Sequence, residues 1–309
     1  MNIFVCCATK RGYRVLEKLL ALRPADRFWV FAFRETPEEP PFVDSIRELA
    51  FRHGACFYET RAVGSAELAH VWNENAVDVM FVISWRYMIP MWIAERCSKG
   101  CYVLHDSLLP VYRGFSPTVW AIANGEPATG ATLFRMAEAV DAGDIVDQLT
   151  IPISSDAVVA EIMDLVTNAY NALVERNLDR ILLGEAPRRP QDHTAASYTC
   201  KRTLEDNRID WRQPTKAIHN LIRAVSQPYP GTFTTLNGAR LTIWSAVPVK
   251  DPRTYVGRVP GRVVQVVPGQ GVVVLTGDGE LLVKMIQLEG REPQCASEIL
   301  RSLSMQLGA

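Results

Sequence analysis

The chain has 309 residues, of which 48% are hydrophobic and 22% are charged, the composition of a globular protein of roughly two domains. This composition excludes a disordered or fibrous chain. The 33 basic and 34 acidic residues give a formal net charge of −1, so the sequence predicts neither a nucleic-acid partner nor a membrane partner. No apolar run approaches the roughly 20 residues that cross a bilayer.

The N-terminus and the cysteines predict the cellular compartment of the protein and the redox state of its thiols. The first apolar stretch is too short for a signal peptide, and no basic residues precede it. The seven cysteines form no CxxC pair, and they suggest neither a zinc site nor a disulfide framework. We therefore predict reduced thiols, a cytoplasmic location and no metal site.

The first half of the chain alternates short apolar runs with stretches of helical periodicity. The runs have the length and composition of buried strands, and they are NIFVC (2–6), FWVFAF (28–33) and VMFVIS (79–84). Helical spacing is found at 10–23, at 42–54 and, further along, at about 156–183. This alternation predicts an α/β fold with a Rossmann-like, doubly wound parallel sheet. The first βα turn, CCATKRG, lacks GxGxxG, so no dinucleotide site is predicted there.

The composition changes after the long helix. Residues 191–204 lie in a proline-containing segment with few apolar side chains, which predicts a linker between a first domain at 1–190 and a second at 205–309. Short β runs fill the second domain, with hairpin turns predicted at Asn237-Gly238 and at Pro268–Gly271. We predict a small β-rich domain resembling an OB-like barrel.

Two polar side chains follow strand-like runs. His105 comes directly after CYVL, and Asp141 begins the turn Asp-Ala-Gly-Asp after GATLFRM. Ligands of parallel sheets bind beyond the carboxyl ends of strands, and an imidazole there can exchange a proton near neutral pH. A carboxylate beside it would suit it to act as a general base. Taken alone, the residues also fit a histidine satisfied by backbone groups and an ordinary turn.

The longer pattern around His105 resembles the 10-formyltetrahydrofolate-dependent formyltransferase family. That family has the motif His-x-Ser-Leu-Leu-Pro-x-x-Arg-Gly, followed later by an Asp in an Asp-Ala/Thr-Gly turn. Here Asp141 follows the histidine by 36 residues. Every fixed position of the motif is present: His105, Ser107, Leu108, Leu109, Pro110, Arg113 and Gly114.

The resemblance implies a reaction and a set of site residues. An amine would attack the formyl carbon of 10-formyltetrahydrofolate, with His105 accepting the amine proton and Asp141 holding the histidine. The loop SWRYMIP (84–90) resembles the folate-side loop of the family, so folate contacts are expected from Trp85, Arg86, Tyr87, Met88 and Ile89, together with Asp141. Substrate contacts are expected from Ser45, Ser107, Tyr112, Arg113, Gly114 and Arg202.

The chain departs from the family at position 103. Family members commonly carry an asparagine two residues before the histidine, where it donates a hydrogen bond to the developing oxyanion. Val103 stands there and has no donor. The loss of one such donor typically costs about 10²–10³ in rate. A catalytically altered or inactive member that binds folate or a nucleotide-sugar therefore remains an alternative.

The predicted acceptor is a small molecule. The methionyl-tRNA branch has a long basic loop after the second strand, whereas FRETPEEPPFVDS (33–45) is short and acidic and would repel RNA. The chain resembles most the formyltransferase domain of the UDP-4-amino-4-deoxy-L-arabinose (polymyxin resistance) enzyme and the sugar N-formyltransferases. The expected acceptor is therefore a nucleotide-linked amino sugar, and a homodimer is left open. Phe115 replaces a substrate-side Arg, so a hydroxylamine or amino acid of siderophore or antibiotic assembly is an alternative.

Overall fold

The computed structural model describes residues 1–37 and 39–308. The chain forms two compact units. Unit 1 comprises Met1–Pro117, Ala128–Pro152 and Met163–Cys200, and unit 2 comprises Thr118–Pro127, Ile153–Ile162 and Lys201–Ala309. The domain boundaries predicted from sequence, at 190 and 205, lie close to the point where unit 1 ends. Two short segments that precede these boundaries, Thr118–Pro127 and Ile153–Ile162, nevertheless cluster with the C-terminal residues.

The described residues of unit 1 form nine strands. They are β1 (Asn2–Cys7), β2 (Arg27–Ala32), β3 (Cys56–Glu59), β4 (Val77–Ile83), β5 (Cys97–His105), β6 (Arg113–Gly114), β7 (Ala128–Arg135), β8 (Ile145–Pro152) and β9 (Tyr198–Thr199). Seven of them form one sheet in the order β3-β2-β1-β4-β5-β7-β8, while β6 and β9 pair separately. Strands β1 to β5 are parallel, which confirms the Rossmann-like α/β fold class.

Strands β7 and β8 extend this sheet in the antiparallel sense. A short connection at 136–144 joins them. Parallel neighbours need a crossover of roughly a dozen residues or more, usually a helix, and this connection is too short for one. The turn that carries Asp141 is therefore a hairpin connection at the edge of the sheet.

The described residues up to Leu183 also form six α-helices. They are α1 (Thr9–Leu22), α2 (Val43–Arg52), α3 (Ala69–Glu74), α4 (Met91–Glu95), α5 (Pro117–Asn124) and α6 (Val159–Leu183). In α1 the buried side chains include Val15, Leu16, Leu19 and Leu20, which recur at the spacing of one helix face. The helices predicted from periodicity at 10–23, 42–54 and about 156–183 are thus confirmed within a few residues.

Unit 2 is built around an antiparallel sheet. Its elements are α7 (Thr215–Ala224), β10 (Thr232–Leu236), β11 (Ala239–Pro248), β12 (Val263–Val267), β13 (Gly271–Leu275), β14 (Glu280–Leu288), β15 (Gln294–Cys295) and α8 (Ala296–Ile299). The strand order is β10-β11-β14-β13-β12, and β15 also pairs with β14. Alternate side chains of these strands bury one face, including Leu241, Ile243, Leu281 and Val283. The β-rich second domain is confirmed, and its closure into an OB-like barrel stays a prediction.

Both predicted hairpins are present in unit 2. Asn237 and Gly238 join β10 to β11 with φ values of 52° and 79°. A two-residue turn of this kind needs positive φ at both positions, which asparagine and glycine tolerate best. The segment Pro268–Gly271 leads from β12 into β13 and is a turn, as expected. Among the described residues, no helix has the length and apolarity to span a bilayer.

The centre of the unit 1 sheet is its topological switch point. The chain leaves β1 toward β2 on one side, and it leaves β4 toward β5 on the other. Crevices at such points, beyond the carboxyl ends of the strands, are where open α/β sheets bind ligands. His105 is the last residue of β5, so it lies at the carboxyl end of the parallel strands.

A buried carboxylate caps two helices beside this crevice. Glu35 accepts hydrogen bonds from the backbone N–H of Thr9, at the start of α1, and of Val43, at the start of α2, each at 3.3 Å. Helix N-termini favour negative charge and leave backbone donors unsatisfied. The protein thus supplies its own anion at α1, where dinucleotide-binding folds place a pyrophosphate.

We expect Glu35→Ala to destabilise unit 1. Each lost cap costs about 1 kcal/mol, so the free energy of unfolding should fall by about 2 kcal/mol in urea denaturation. Glu48→Ala, at an exposed position on α2, is the matched control and should change stability by less than about 0.5 kcal/mol. Equal unfolding midpoints for the two variants would contradict the capping role.

Candidate active site

His105 is held at the end of β5 by a backbone carbonyl. Its side chain is 10% exposed, and its Nε2 lies 2.8 Å from the carbonyl oxygen of Tyr112. A carbonyl can only accept a hydrogen bond, so Nε2 carries the hydrogen in the neutral ring. This contact leaves Nδ1 as the basic nitrogen of the imidazole.

Asp141 faces that basic nitrogen. Its Oδ2 lies 3.7 Å from Nδ1 of His105, and the same oxygen accepts a 2.8 Å hydrogen bond from the backbone N–H of Gly114. Asp141 has a φ of 52°, a left-handed conformation that few non-glycine residues adopt. The structure therefore brings together the two residues that the sequence could only suggest as a pair.

The side chain of Gln191 fixes the turn that presents Asp141. Its Nε2 donates to the carbonyl oxygens of Asp141 and Gly143, at 2.8 and 2.7 Å. Its Oε1 accepts from the Arg113 guanidinium, at 2.6 Å from Nη2 and 3.2 Å from Nε. Sequence reasoning missed Gln191, because a glutamine in a proline-containing segment 50 residues downstream carries no recognisable pattern.

Arg113 is buried within this network. Only 2% of the residue is exposed, and its Nη1 donates to the hydroxyl of Tyr198 at 3.2 Å while Nη2 also lies 3.1 Å from Nδ1 of His193. Its guanidinium thus holds Gln191, and through it the Asp141 turn. The direct substrate contact expected of Arg113 stays a prediction.

The rest of the motif shapes the loop after His105. The hydroxyl of Ser107 donates to the carbonyl of Val111 at 2.7 Å. Thr132 of β7 donates to the carbonyl of Ser107 at 2.6 Å and accepts from the N–H of Leu109 at 3.2 Å. The substrate contact expected of Ser107 stays a prediction, and the structure gives its hydroxyl a loop-forming role.

Gly114 and Tyr112 complete this loop beside β9. Gly114 has a φ of 102°, and a Cβ there would lie 2.6 Å from the carbonyl oxygen of Thr199. Only glycine fits this close approach, which aims its N–H at Asp141. The N–H of Tyr112 donates to Ser197 Oγ at 2.9 Å while its carbonyl orients His105.

A second polar network begins at Asp106, the residue after His105. The carboxylate of Asp106 pairs with the guanidinium of Arg11 and accepts a hydrogen bond from the hydroxyl of Tyr170. Burial, followed by the nearby Asp106 charge, raises the pKa of Tyr170 well above its usual value, so it remains a hydrogen-bond donor. No sequence pattern indicated Arg11 or Tyr170, which lie on α1 and α6.

The loop at 84–90 forms an aromatic cluster with Phe33. The rings of Trp85 and Tyr87 meet the Phe33 ring edge-on, with centroids 5.3 and 5.0 Å apart. Arg86 pairs with Glu39, Met88 is 74% exposed and Ile89 is buried. Among the described residues, the buried Nε1 of Trp85 has no hydrogen-bond partner. The expected folate-side residues thus offer flat apolar surface and one unused donor.

The other expected substrate residues lie in separate places. Ser45 is exposed on α2 of unit 1. Arg202 belongs to unit 2, where its guanidinium stacks 4.6 Å from the ring centroid of Trp120 and donates to the carbonyl of Asp206 at 2.8 Å. Burial lowers the pKa of Arg202 below its usual value. The substrate contacts expected of Ser45 and Arg202 stay predictions.

Val103 packs as an ordinary core residue. Its partly buried side chain contacts the apolar cluster of Leu109, Phe134 and Ile145. It also packs against the larger cluster on β1, β4 and β5. The position commonly occupied by asparagine in the family is therefore filled by apolar packing.

Two family models match the chain. The formyl transferase model matches residues 25–177, and the model of the formyl transferase C-terminal domain matches residues 201–304. These matches define the class of protein as a formyltransferase. The chain belongs to the formyl transferase family.

Solved structures show the same fold. WlaRD, a sugar 3N-formyl transferase crystallised with dTDP and 5-N-formyl-THF, is 16% identical, with a TM-score of 0.67 over 94% of this chain and 99% of that chain. An N-formyltransferase from Helicobacter canadensis, in complex with folinic acid and dTDP-3-aminofucose, is 17% identical, with a TM-score of 0.69 over 91% and 98%. HypX from Aquifex aeolicus, in complex with tetrahydrofolic acid, is 20% identical with a TM-score of 0.64, and the match covers 97% of this chain but only 46% of HypX.

We expect Gln191→Met to lower kcat for formyl transfer by about 10- to 100-fold, because the Asp141 turn loses its amide anchors and small misplacements are costly in catalysis. The KM for folate should change little, and hydrogen exchange at 136–144 should accelerate. Gln213→Met, at an exposed glutamine, is the control. A Gln191→Met variant with unchanged kcat and exchange would show that the turn is held without this side chain.

Proposed function

We propose that this formyltransferase moves a formyl group from 10-formyltetrahydrofolate to the amine of a nucleotide-linked amino sugar. The observation that carries the proposal is the pairing of His105 Nδ1 with Asp141 Oδ2 at 3.7 Å, beside a complete family motif. An imidazole with one nitrogen tied to a carbonyl and the other facing a carboxylate is suited to take a proton.

In the proposed reaction the amine nitrogen bonds to the formyl carbon. His105 accepts the amine proton at Nδ1, and Asp141 stabilises the resulting imidazolium. The bond between the formyl carbon and N10 of the folate then breaks, and the imidazolium returns the proton to N10. The products are the formamide and tetrahydrofolate, and both side chains end in their starting states.

The folate is proposed to bind at the 84–90 loop. Trp85, Arg86, Tyr87, Met88 and Ile89 would hold it there, with Asp141 contributing from the catalytic turn. The edge-on aromatic cluster and the unpartnered Nε1 of Trp85 fit a flat heterocycle that carries hydrogen-bond acceptors. The WlaRD and HypX structures, which hold folates, support the same co-substrate here.

The nucleotide-sugar acceptor is proposed from the structural relatives and from charge. The WlaRD and Helicobacter canadensis structures contain dTDP or a dTDP-sugar. In the acidic stretch 33–45, Glu35 is engaged at the two helix N-termini and Glu39 pairs with Arg86, while Glu38 lies outside the described residues. The single basic residue of the stretch, Arg34, pairs with Asp44 and Glu59, so a small-molecule acceptor remains favoured over RNA. The cytoplasmic location and the homodimer stay predictions.

Phe115 and Val103 support two alternatives that the same assay separates. Phe115 is 46% exposed directly after Gly114 and presents an apolar ring in place of a cation, which would suit a hydroxylamine or amino acid acceptor. Val103 lacks the usual donor, which would suit a protein that binds its ligands without turnover. A panel of acceptors, combined with calorimetry on folate and nucleotides, distinguishes these cases.

We expect purified protein to release tetrahydrofolate from 10-formyltetrahydrofolate when given its cognate member of a panel of UDP- and dTDP-amino sugars. His105→Asn should lower kcat by about 10²–10⁴-fold, because the general base is lost. His53→Asn, an exposed histidine in the same unit, is the control and should keep full activity.

The folate affinity measured by calorimetry should be similar in the native protein, in His105→Asn and in His53→Asn. The proposal is contradicted if none of the acceptors in the panel is formylated, or if His105→Asn leaves the transfer intact. Ligand binding without turnover in the native protein would favour the binding-only alternative.

A further inference from the structure

Two buried hydroxyl groups at the switch point have no hydrogen-bond partner among the residues that the structure describes. They are Oγ1 of Thr9, just after β1, and Oγ of Ser84, just after β4. Both residues have left-handed backbones, with φ values of 62° and 53°. Buried polar atoms of native proteins nearly always have partners, and strained residues collect at ligand sites. These two hydroxyls are therefore candidates for contact with a bound ligand.

The sheet topology places Ser84 and His105 at the carboxyl ends of neighbouring strands. Strands β4 and β5 are parallel, with Val82 paired to Val103 and Ile83 paired to Leu104. Ser84 follows the last residue of β4, and His105 is the last residue of β5. Neighbouring strands lie about 4.8 Å apart, so both residues border the same end of the sheet. Thr9 is one strand further away, because β1 lies on the other side of β4.

Position 103, where family members commonly carry the asparagine that donates to the oxyanion, holds a valine in this chain. Val103 precedes His105 by two residues in the strand, so the two side chains lie on the same face of the sheet. Its methyl groups cannot donate a hydrogen bond to the formyl oxygen. A donor for that oxygen has to come from a neighbouring group, and Ser84 follows the strand that flanks both residues.

We propose that the hydroxyl of Ser84 donates a hydrogen bond to the formyl oxygen as that oxygen gains negative charge, in place of the asparagine that Val103 replaces. This inference rests on the proposed function. As the nucleophile bonds to the formyl carbon, the carbonyl electron pair moves to oxygen and then returns when the bond to N10 breaks. The nucleophile's proton passes through His105 to N10, and Ser84 keeps its own proton throughout.

The local structure suits Ser84 to this role. A serine hydroxyl is a donor that can rotate toward its acceptor, and no competing acceptor holds it in the described part of the chain. Its backbone follows β4 directly, and the carbonyl of Ile83 accepts a 3.2 Å hydrogen bond from the N–H of Ala8. The backbone that carries the hydroxyl is therefore anchored before the reaction begins, and only the hydroxyl has to rotate toward the oxyanion.

The test compares Ser84→Ala, Val103→Asn and the double variant. The probe reaction is formate release from 10-formyltetrahydrofolate with water as the nucleophile, alongside transfer to any acceptor found, because both reactions develop charge on the same oxygen. Ser84→Ala should lower kcat by about 10²–10³-fold with little change in tetrahydrofolate affinity. Val103→Asn in the Ser84→Ala background should recover at least ten-fold, since it restores an amide donor on the other strand.

Ser98→Ala, at the opposite end of β5, is the control and should leave kcat unchanged. Circular dichroism checks that each variant folds. A Ser84→Ala protein as fast as the native one overturns the role of Ser84, and so does a loss of rate in Thr9→Val but not in Ser84→Ala. In both cases inactivity of His105→Asn leaves the proposed function standing. A native protein that turns over with neither water nor any amine overturns both proposals.

Discussion

The candidate site depends on holding one carboxylate in a conformation that its backbone disfavours. Asp141 has a φ of 52°, and strain of this kind costs about 1–3 kcal/mol. A hydrogen bond from the Gly114 N–H to its carboxylate contributes about 1.5–3 kcal/mol, and two from Gln191 to the turn add to this. These contacts offset the strain, and they also aim the carboxylate at His105. Orientation and stability therefore come from the same bonds.

Two polar networks that differ in kind adjoin His105. In the first, Asp141 accepts from the backbone N–H of Gly114, and the neutral amide of Gln191 binds both the Asp141 turn and Arg113. In the second, the carboxylate of Asp106 pairs with Arg11 and accepts a hydrogen bond from Tyr170. The partners of the Asp106 carboxylate are thus a cation and a hydroxyl, whereas the Asp141 carboxylate accepts from a backbone N–H and lies 3.7 Å from Nδ1 of His105.

The sequence predicted the elements and the pairing of His105 with Asp141 because both follow local rules. Apolar periodicity placed α1 and the strands, and the spacing of the motif placed His105 and Asp141. Gln191 and Tyr170 could not be predicted, since each reaches the site from far along the chain through a single side chain. Ser84 and Glu35 were missed for another reason: their roles depend on strand order and backbone angles, which no single-sequence pattern reports.

The order of the strands also explains how residue 103 can lose its donor without loss of the site. The proposed reaction would place the formyl oxygen beyond the carboxyl ends of β4 and β5, which are neighbouring parallel strands. A donor on either strand can serve it, so a change on β5 that improves packing can be offset by a hydroxyl after β4. Val103 gains contacts with Leu109 and Phe134 in this exchange. We interpret the unpartnered hydroxyl of Ser84, after β4, as the donor that replaces the asparagine of the neighbouring strand β5.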